Sequence, residues 1–594
     1  MPLIRRSSYK RFRRILAKWF ERLTFGQVRQ FTFLALLIGV LSGLSAVAFH
    51  KSIDWADHHL IKSVAQASGP WVWIGLVLLP ALGGLVAGFL VRFWAPEAAG
   101  SGIPQTKAAY FLKFGRIRFR TAVSKFALGV ISIGSGSSLG REGPTVQISA
   151  ALASWVGRWL GLPSRLVQRL IPMAAAGGIA AAFNTPLAAI MFAIEEIMGD
   201  LKHRALAGIV VVAVIAAVIE RSILGSSSLF RVPLHVDFQP SELVWSVLVG
   251  VLAGVFSQLF VGTLLHLRQR AKLVRGRGAW AMPAVGGLAT GLIGAAVFAW
   301  SGHLGIFGIG YEDLSLALFG KLGLVLLIVL FLGKFLATIL CYATGGVGGI
   351  FAPTLFLGAM LGGAVATAVD LIPGVPDIQT GSLALIGMGA MFAGVIRAPV
   401  TSILIIMELT GDYALILPIM LANLTAYSLA SRWRKIPIYE ALLLQDGVNL
   451  RQFPILRPNA NWQNLPVNTI MTNEVVTLRA GEPLPEAFAE IKGRSFKLFP
   501  VLTEEGDFFG MVHRKGIINV FESHPERRVE DVLVSPRIPT CHPDQPIREV
   551  VQLFVDCDHT TLPIISRVDP GRLIGVVTLH DITRQQFLNE SQGV

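Results

Sequence analysis

The sequence predicts an all-α polytopic membrane protein, an inverted repeat of two helical halves with broken helices, followed by a small cytoplasmic α+β tail. Three observations carry this. Of 594 residues, 53% are hydrophobic and only 15% charged, about ten points fewer charges than soluble globular domains carry, which excludes a soluble enzyme. The apolar residues are interrupted by 61 glycines and 31 prolines, as happens where broken helices line a cavity, so a transporter or channel is the leading class. Finally, the sequence matches itself in register. NTPLAAIMFAIEEI at 184–197 aligns with RAPVTSILIIMELT at 397–410, placing Pro186 on Pro399 and Glu195 on Glu408. Upstream, GREGPTVQ at 140–147 lies opposite GGIFAPTL at 348–355, with Pro144 on Pro353. Such a repeat places a site at its own interface, near the bilayer midplane.

The elements run in order along the chain. Residues 1–30 hold nine basic residues and one acid, Glu21; beside an apolar run they read as a cytoplasmic anchor, not a nucleic-acid patch. Apolar segments then fall near 31–50, 71–94, 122–136, 143–160, 170–198, 205–224, 243–265, 281–300, 317–341, 349–369, 380–396 and 399–430. Several are too short to cross a bilayer and others long enough to be two pieces, which predicts sixteen to eighteen helical pieces. The membrane domain therefore occupies 31–445, in halves of about 31–225 and 240–445. Basic residues Arg432, Arg434 and Lys435 place the C-terminal remainder of the chain on the cytoplasmic side, like the N-terminus. A linker at 446–463 leads to a domain at 464–594. Here KLFPVLTEEGDFFGMVHRKGI (497–517) and TLPIISRVDPGRLIGVVTLHDI (561–582) share a strand, a turn, a glycine-bearing second strand and a helix start, giving two α+β units at about 464–523 and 530–590. Cys341, Cys541 and Cys557 have neither metal-ligand nor disulfide spacing.

Three glycine turns open helices inside apolar surroundings: GSGIPQ at 100–105, GREGPTVQ at 140–147 and GGIFAP at 348–353. Each offers unpaired backbone N–H groups and the positive end of a helix dipole, a ready anion site, with a proline in the first turn. Arg141 and Glu142 stand alone between uncharged stretches at 126–140 and 143–157. One reading is an ion pair reaching for the interface at a helix end; the other is a carboxylate that competes with a permeant anion for the same donors and leaves when protonated.

GSGIP, GREGP and GGIFAP in this order, with IPIYEALL at 436–443, resemble the CLC family of chloride channels and proton-coupled chloride transporters; the tail resembles a tandem pair of CBS domains. Taken alone, Ser101 reads as a helix N-cap and Tyr439 as an interfacial aromatic. The resemblance makes them instead the hydroxyl donors to a central chloride, completed by the amides of Ile350 and Phe351. Amides around Arg141, Glu142 and Gly143 would form an outer site, Glu142 would be the gating glutamate, and Glu196 the acid that marks proton-coupled members. Glu195 is expected to be structural, at a helix contact.

The resemblance thus implies chloride/proton exchange by a homodimer, with a passive voltage- or pH-gated chloride channel as the alternative; compact loops and the absence of targeting features favour a bacterial inner membrane, and the basic clusters put both termini in the cytoplasm. It implies no required cofactor and no nucleic acid. In the tail, Thr578 and Asp581 form a T-x-x-D arrangement suited to an adenosine nucleotide, where the first copy has His513 and Gly516; a purely dimerising tail is the other reading. An intramembrane metalloprotease would need H-E-x-x-H, which is absent from the sequence, and a magnesium transporter would need more acids in the membrane half.

Overall fold

The computed structural model describes residues 27–199, 205–225, 242–274, 278–373, 378–450 and 462–592, apart from 495, 535–537 and 558. Most of the basic segment at 1–30, and 451–461 of the linker, lie outside the described residues. The chain forms two compact units that divide after Leu450.

The first unit is helical. Its first half comprises α1 (Gln27–Asp57), α2 (Trp71–Phe93), α3 (Ile103–Leu112), α4 (Phe119–Gly134), α5 (Glu142–Trp159), α6 (Ser164–Phe183), α7 (Pro186–Phe192) and α8 (Leu206–Leu224). The second comprises α9 (Glu242–Leu273), α10 (Met282–Ser301), α11 (Tyr311–Leu318), α12 (Leu324–Ala343), α13 (Phe351–Val369), α14 (Thr380–Ile396), α15 (Pro399–Thr410) and α16 (Ile416–Trp433), with α17 (Ile438–Gln445) closing the unit. Among the described residues these seventeen helices, each of seven residues or more, fall within the expected number. Eight of the described helical segments are long and apolar enough to cross a membrane. Two long apolar runs are broken as their length suggests. The run at 170–198 breaks at Asn184 (φ 56°) and that at 399–430 at Gly411 (φ 67°). Helices α3 and α17 lie outside the apolar runs, as does α11 but for its last two residues.

The repeat is visible in atoms. Gly140 and Gly349, 209 residues apart, exchange both backbone hydrogen bonds, at 2.7 and 2.6 Å. The Glu195 carboxylate accepts from the N–H groups of Val400 and Thr401 at the start of α15, and the Glu408 carboxylate accepts from those of Leu187 and Ala188 at the start of α7. Each half thus supplies an anion to the other half's helix N-terminus, the helix contact expected of Glu195. Two reciprocal exchanges at equivalent positions define a two-fold relating the halves. Buried lysines obey it too. Lys125 donates to the carbonyls of Ala98 and Gly100, and Lys334, 209 residues on, to those of Gly305, Ile306 and Gly308. The left-handed ends of α6 and α14, Asn184 (φ 56°) and Arg397 (φ 68°), are also equivalent. Asparagine tolerates this conformation; Arg397 is held there by its guanidinium, which donates to the carbonyls of Ala430 and Arg434.

Packing follows membrane rules. Along α2 one face carries exposed Trp71, Ile74, Leu78, Leu82, Val86, Phe89 and Phe93, the stripe that meets lipid, while Leu76, Gly84, Ala87 and Gly88 are buried. Small residues let backbones touch where α2 crosses α10: a Cβ at Gly287 would lie 2.0 Å from the Pro80 carbonyl oxygen.

In the second unit, β1 (Leu478–Arg479) pairs parallel to β2 (Leu498–Leu502), which pairs antiparallel to β3 (Phe508–His513), flanked by α18 (Leu484–Ile491) and α19 (Arg514–Ser523). The second copy has α20 (Ile547–Cys557), an antiparallel pair β4 (Thr561–Ile565) and β5 (Leu573–Thr578), and α21 (Leu579–Gln592). Gly510 and Gly575 hold the same register in each copy, opposite Val501 and Ile564, and the register shifts directly after both. Burial pushes the Cys541 thiol up to about 12, with Cys557 adding to the shift, so this cysteine stays a protonated core residue.

Candidate functional site

Four helix starts converge on the two-fold. The Gly140–Gly349 pair aligns the N-termini of α5 and α13, so the carboxylate of Glu142, the first residue of α5, reaches across to the other half. It is fully buried. Its Oε2 accepts from the Ala352 N–H at 3.3 Å, in the first turn of α13, and its Oε1 from the Tyr311 hydroxyl at 3.0 Å, at the start of α11. A negative group therefore sits where the positive end of α13 and a phenol meet, a place any small anion would suit.

Arg141 is buried but does not pair with Glu142, so the interfacial ion-pair reading is set aside. Its guanidinium faces Asp54 at 3.5 Å and lies 5.5 Å from the centre of the Tyr311 ring. Tyr311 and Arg141 also line a cavity of about 270 Å³ shared with Asp54, Asp57, Lys62 and Glu312. Tyr311 thus stands between this cavity and Glu142.

The GSGIP turn brings Ser101 against the start of α5: a Cβ on Gly143 would lie 2.5 Å from Ser101 Oγ. Lys125 donates to the carbonyls of Ala98 and Gly100 in this loop. Ser101 Oγ and Tyr439 OH are both fully buried, and neither has a hydrogen-bond partner among the described residues. Unpaired buried hydroxyls are costly, and their chemistry fits a ligand that accepts two hydrogen bonds. Ile350 and Phe351 are fully buried too; the Phe351 ring packs against those of Phe183, Phe192 and Phe392, with centroids 5.0, 5.8 and 4.5 Å away, which fixes the start of α13.

Glu196 lies apart from this cluster, in a widened turn, Ala193–Met198, that ends α7. It is buried and its Oε1 is 2.9 Å from Lys107 Nζ; the same ammonium is 3.6 Å from Glu440 Oε1. Helix α3 links the two places, with Ser101 just before it and Lys107 within it. Residue 439 of α17 belongs to one and residue 440 to the other.

Thr578 and Asp581 are in contact: the carboxylate accepts from the Thr578 N–H at 2.9 Å and hydroxyl at 2.7 Å. Both line a cavity of about 510 Å³ with Thr472, Glu474, Lys497 and His580.

Four polar partners escape a reading of the sequence: Tyr311, the Ala352 amide, Lys107 and Glu440. Lys107 carries the signal that singles out Arg141, a lone charge in an apolar helix. Tyr311 follows the glycines of GIFGIG at 305–310, the half-repeat equivalent of GSGIP, and that offset is the signal that finds it.

A membrane protein of two inverted halves, with a carboxylate seated on the opposite half's helix N-terminus and two buried hydroxyls without partners among the described residues, has the chemistry to hold a small anion. A family model described as voltage gated chloride channel matches residues 83–431, and CBS domain models match 467–523 and 529–587. The H(+)/Cl(-) exchange transporter ClcA of Klebsiella pneumoniae is 35% identical over 422 residues, 69% of this chain and 88% of that one. The transporter of the same name from Vibrio vulnificus is 36% identical over 424 residues, with the same coverage. Among solved structures, a slow cyanobacterial Cl-/H+ antiporter aligns with a TM-score of 0.63 at 27% identity, covering 70% of this chain and 97% of that one. A eukaryotic CLC transporter aligns over 93% of this chain and 97% of its own, with a TM-score of 0.61 at 21% identity, and shares the fold. The chain belongs to the voltage-gated chloride channel (CLC) family and carries tandem CBS domains.

Proposed function

We propose that this protein exchanges chloride for protons across a bacterial inner membrane, as a homodimer with one pathway in each subunit and both termini cytoplasmic. The membrane domain spans 31–445 and the linker 446–463. The observation that carries this reading is the seat of Glu142, whose carboxylate occupies donors from the opposite half where an anion would bind. Glu142 is the gate: ionised, its carboxylate holds the Ala352 N–H and the Tyr311 hydroxyl, beside the outer position offered by amides around Arg141, Glu142 and Gly143; protonated, it leaves and admits chloride. Ser101, Tyr439 and the amides of Ile350 and Phe351 hold the inner chloride, and Glu196 hands on the proton from the cytoplasmic side. The relatives named as exchangers, at 35 and 36% identity, support this over a passive channel, as does the acid at 196. No cofactor is required for transport.

The test is proton movement in proteoliposomes under a chloride gradient, with the voltage clamped by potassium and valinomycin. Uphill proton movement driven by chloride is expected, and its loss in Glu196→Gln. Chloride flux without proton movement would make the protein a channel. A further outcome concerns Tyr311. Tyr311→Phe removes one donor to the ionised gate, a charge-assisted bond worth about 1.5–3 kcal/mol, so chloride should compete better for the seat, with apparent affinity raised about tenfold or more. Calorimetric titration of the purified protein with chloride measures this; unchanged affinity would remove Tyr311 from the gate.

In the CBS unit, the 510 Å³ cavity between Lys497, Thr578 and Asp581 supports one adenosine-nucleotide site, the lysine facing phosphate and the carboxylate facing ribose.

A further inference from the structure

The lipid-facing stripe of α9 ends in a polar pocket. Val251, Val255 and Leu259 are exposed along one face of this helix, and the same face continues through Gly262 to exposed His266 and Gln269. Steps of three or four residues keep all six on one side. That side changes from apolar to polar between Leu259 and His266, as a helix does where it leaves hydrocarbon for the headgroup layer. At this level a cavity of about 400 Å³ opens between α9, Arg434 just past α16, and Ala441 and Leu444 of α17.

Arg434 is the charged group of this cavity. Its guanidinium lies over α9, where a Cβ on Gly262 would be 3.5 Å from Nη2. The Arg434 Nε is buried and has no hydrogen-bond partner among the described residues, which is costly for a donor unless a ligand or water accepts from it. Neighbouring groups are already engaged. Arg268 donates to Gln445 Oε1 at 2.9 Å and pairs with Asp446 at 2.7 Å, Lys272 pairs with Asp446 too, and the Gln445 amide donates to the Leu265 carbonyl at 2.8 Å. None of the residues that line the cavity is acidic. The stretches that follow α9 and α17 in sequence, 275–277 and 451–461, hold four arginines and no acid.

We propose that this cavity binds the phosphate headgroup of an anionic phospholipid, with Arg434 as its charged ligand, His266 and Gln269 at its rim, and an acyl chain along Val251, Val255 and Leu259. The apolar stripe runs directly into the cavity, so an amphiphile satisfies both ends at once, which a free anion does not. The planar guanidinium suits phosphate, to whose oxygens it can donate two parallel bonds. Basic pockets between membrane helices at the cytoplasmic surface have anionic headgroups as their ordinary surroundings, and this is the end of the unit where Arg432 and Arg434 gather. Through Ala441 and Leu444 the headgroup borders α17, the short helix that carries Tyr439 in its first turn.

The experiment titrates the purified full-length protein in detergent with short-chain phosphatidylglycerol, with zwitterionic phosphatidylcholine of the same chains and with inorganic phosphate, and reads bound ligand by native mass spectrometry. Phosphatidylglycerol should bind about tenfold or more tightly than phosphatidylcholine, and Arg434→Gln should lose about tenfold or more of that affinity. Arg432→Gln, the same charge change outside the cavity, should keep it. Equal binding of the two lipids, or unaltered affinity in Arg434→Gln, would overturn the proposal. So would an equal loss in Arg432→Gln, since surface charge alone would then hold the lipid, and so would inorganic phosphate binding as tightly as phosphatidylglycerol. Should Arg434→Gln not fold, Gly262→Leu fills the cavity from the lipid-facing side without a change of charge, and unaltered affinity there is equally fatal. Binding in detergent is read without a sidedness or a flux, so its failure is distinct from failure of the exchange reading or of the cytoplasmic placement.

Discussion

Replacing Glu142 with glutamine is expected to reduce proton movement to the leak of protein-free vesicles while chloride runs down its own gradient. The geometry gives two reasons. Both groups facing the carboxylate are donors, the Ala352 N–H at 3.3 Å and the Tyr311 hydroxyl at 3.0 Å, and a carboxylate accepts from both. A glutamine side chain has one acceptor oxygen and presents its NH₂ group to the other donor. It also loses the attraction between a full negative charge and the positive end of α13, worth about 0.3–2 kcal/mol, and the charge-assisted part of each hydrogen bond. The seat therefore becomes free for chloride at every pH, and the side chain can no longer bind or release a proton there. Chloride flux and proton flux, recorded together in vesicles at two pH values, test this. The chloride flux of Glu142→Gln should lose the pH dependence that the parent shows. Retention of coupled proton movement would place the gate elsewhere.

Much of this arrangement is legible in the sequence because it depends on local rules. Glycine turns followed by proline mark helix starts, and an offset of 209 to 213 residues pairs Pro144 with Pro353 and Glu195 with Glu408. These pairs prove to be contacts or equivalents across the two-fold. Glu142 and Arg141 are exposed as candidates by the absence of other charge around them. The rest depends on what meets in space. Tyr311 is distant from Glu142 in sequence, and the short α11 that carries it is too brief and too polar at its start, with Glu312 and Asp313, to register as a membrane element. Glu440 looks like an ordinary helix-end acid until Lys107 is brought to it from the other half. The Ala352 amide has no side-chain signal at all; only the close pairing of Gly140 with Gly349 brings it within reach of Glu142. Buried Lys125 and Lys334 show the same limit. As residues in apolar helices they suggest function, yet each is engaged by two or three carbonyls of the loop its half must fold into shape.

That dependence of the site on loop shape makes Gly102→Ala the most damaging single substitution expected outside the charged residues. Gly102 has φ +110°, a conformation that L-residues rarely adopt and that costs on the order of 1–3 kcal/mol when forced. A Cβ there would lie 2.5 Å from the Gly143 carbonyl oxygen and 3.0 Å from Gln147 Cβ. Neither α5 nor the loop can yield cheaply. The Gly102 N–H donates to Gln105 Oε1 at 2.9 Å, and its carbonyl accepts from the N–H and hydroxyl of Thr106 at 2.9 and 2.8 Å. On the other side the Gly100 carbonyl accepts from Lys125 at 2.5 Å. Overpacking at such a point adds about 1–3 kcal/mol. Whatever relief the loop finds moves Ser101, whose Oγ lies against Gly143, and separates it from the start of α5. Chloride affinity should therefore fall about a hundredfold, since roughly 2.7 kcal/mol of lost binding corresponds to that factor. Gly278→Ala is the control, because a Cβ at Gly278 meets no other atom within 4 Å. Calorimetric chloride titration of both purified variants, each first checked for a single species by gel filtration, gives the answer. Unchanged chloride affinity in a folded Gly102→Ala protein would show that the GSGIP loop does not shape the anion site, and the role assigned to Ser101 would fall with it.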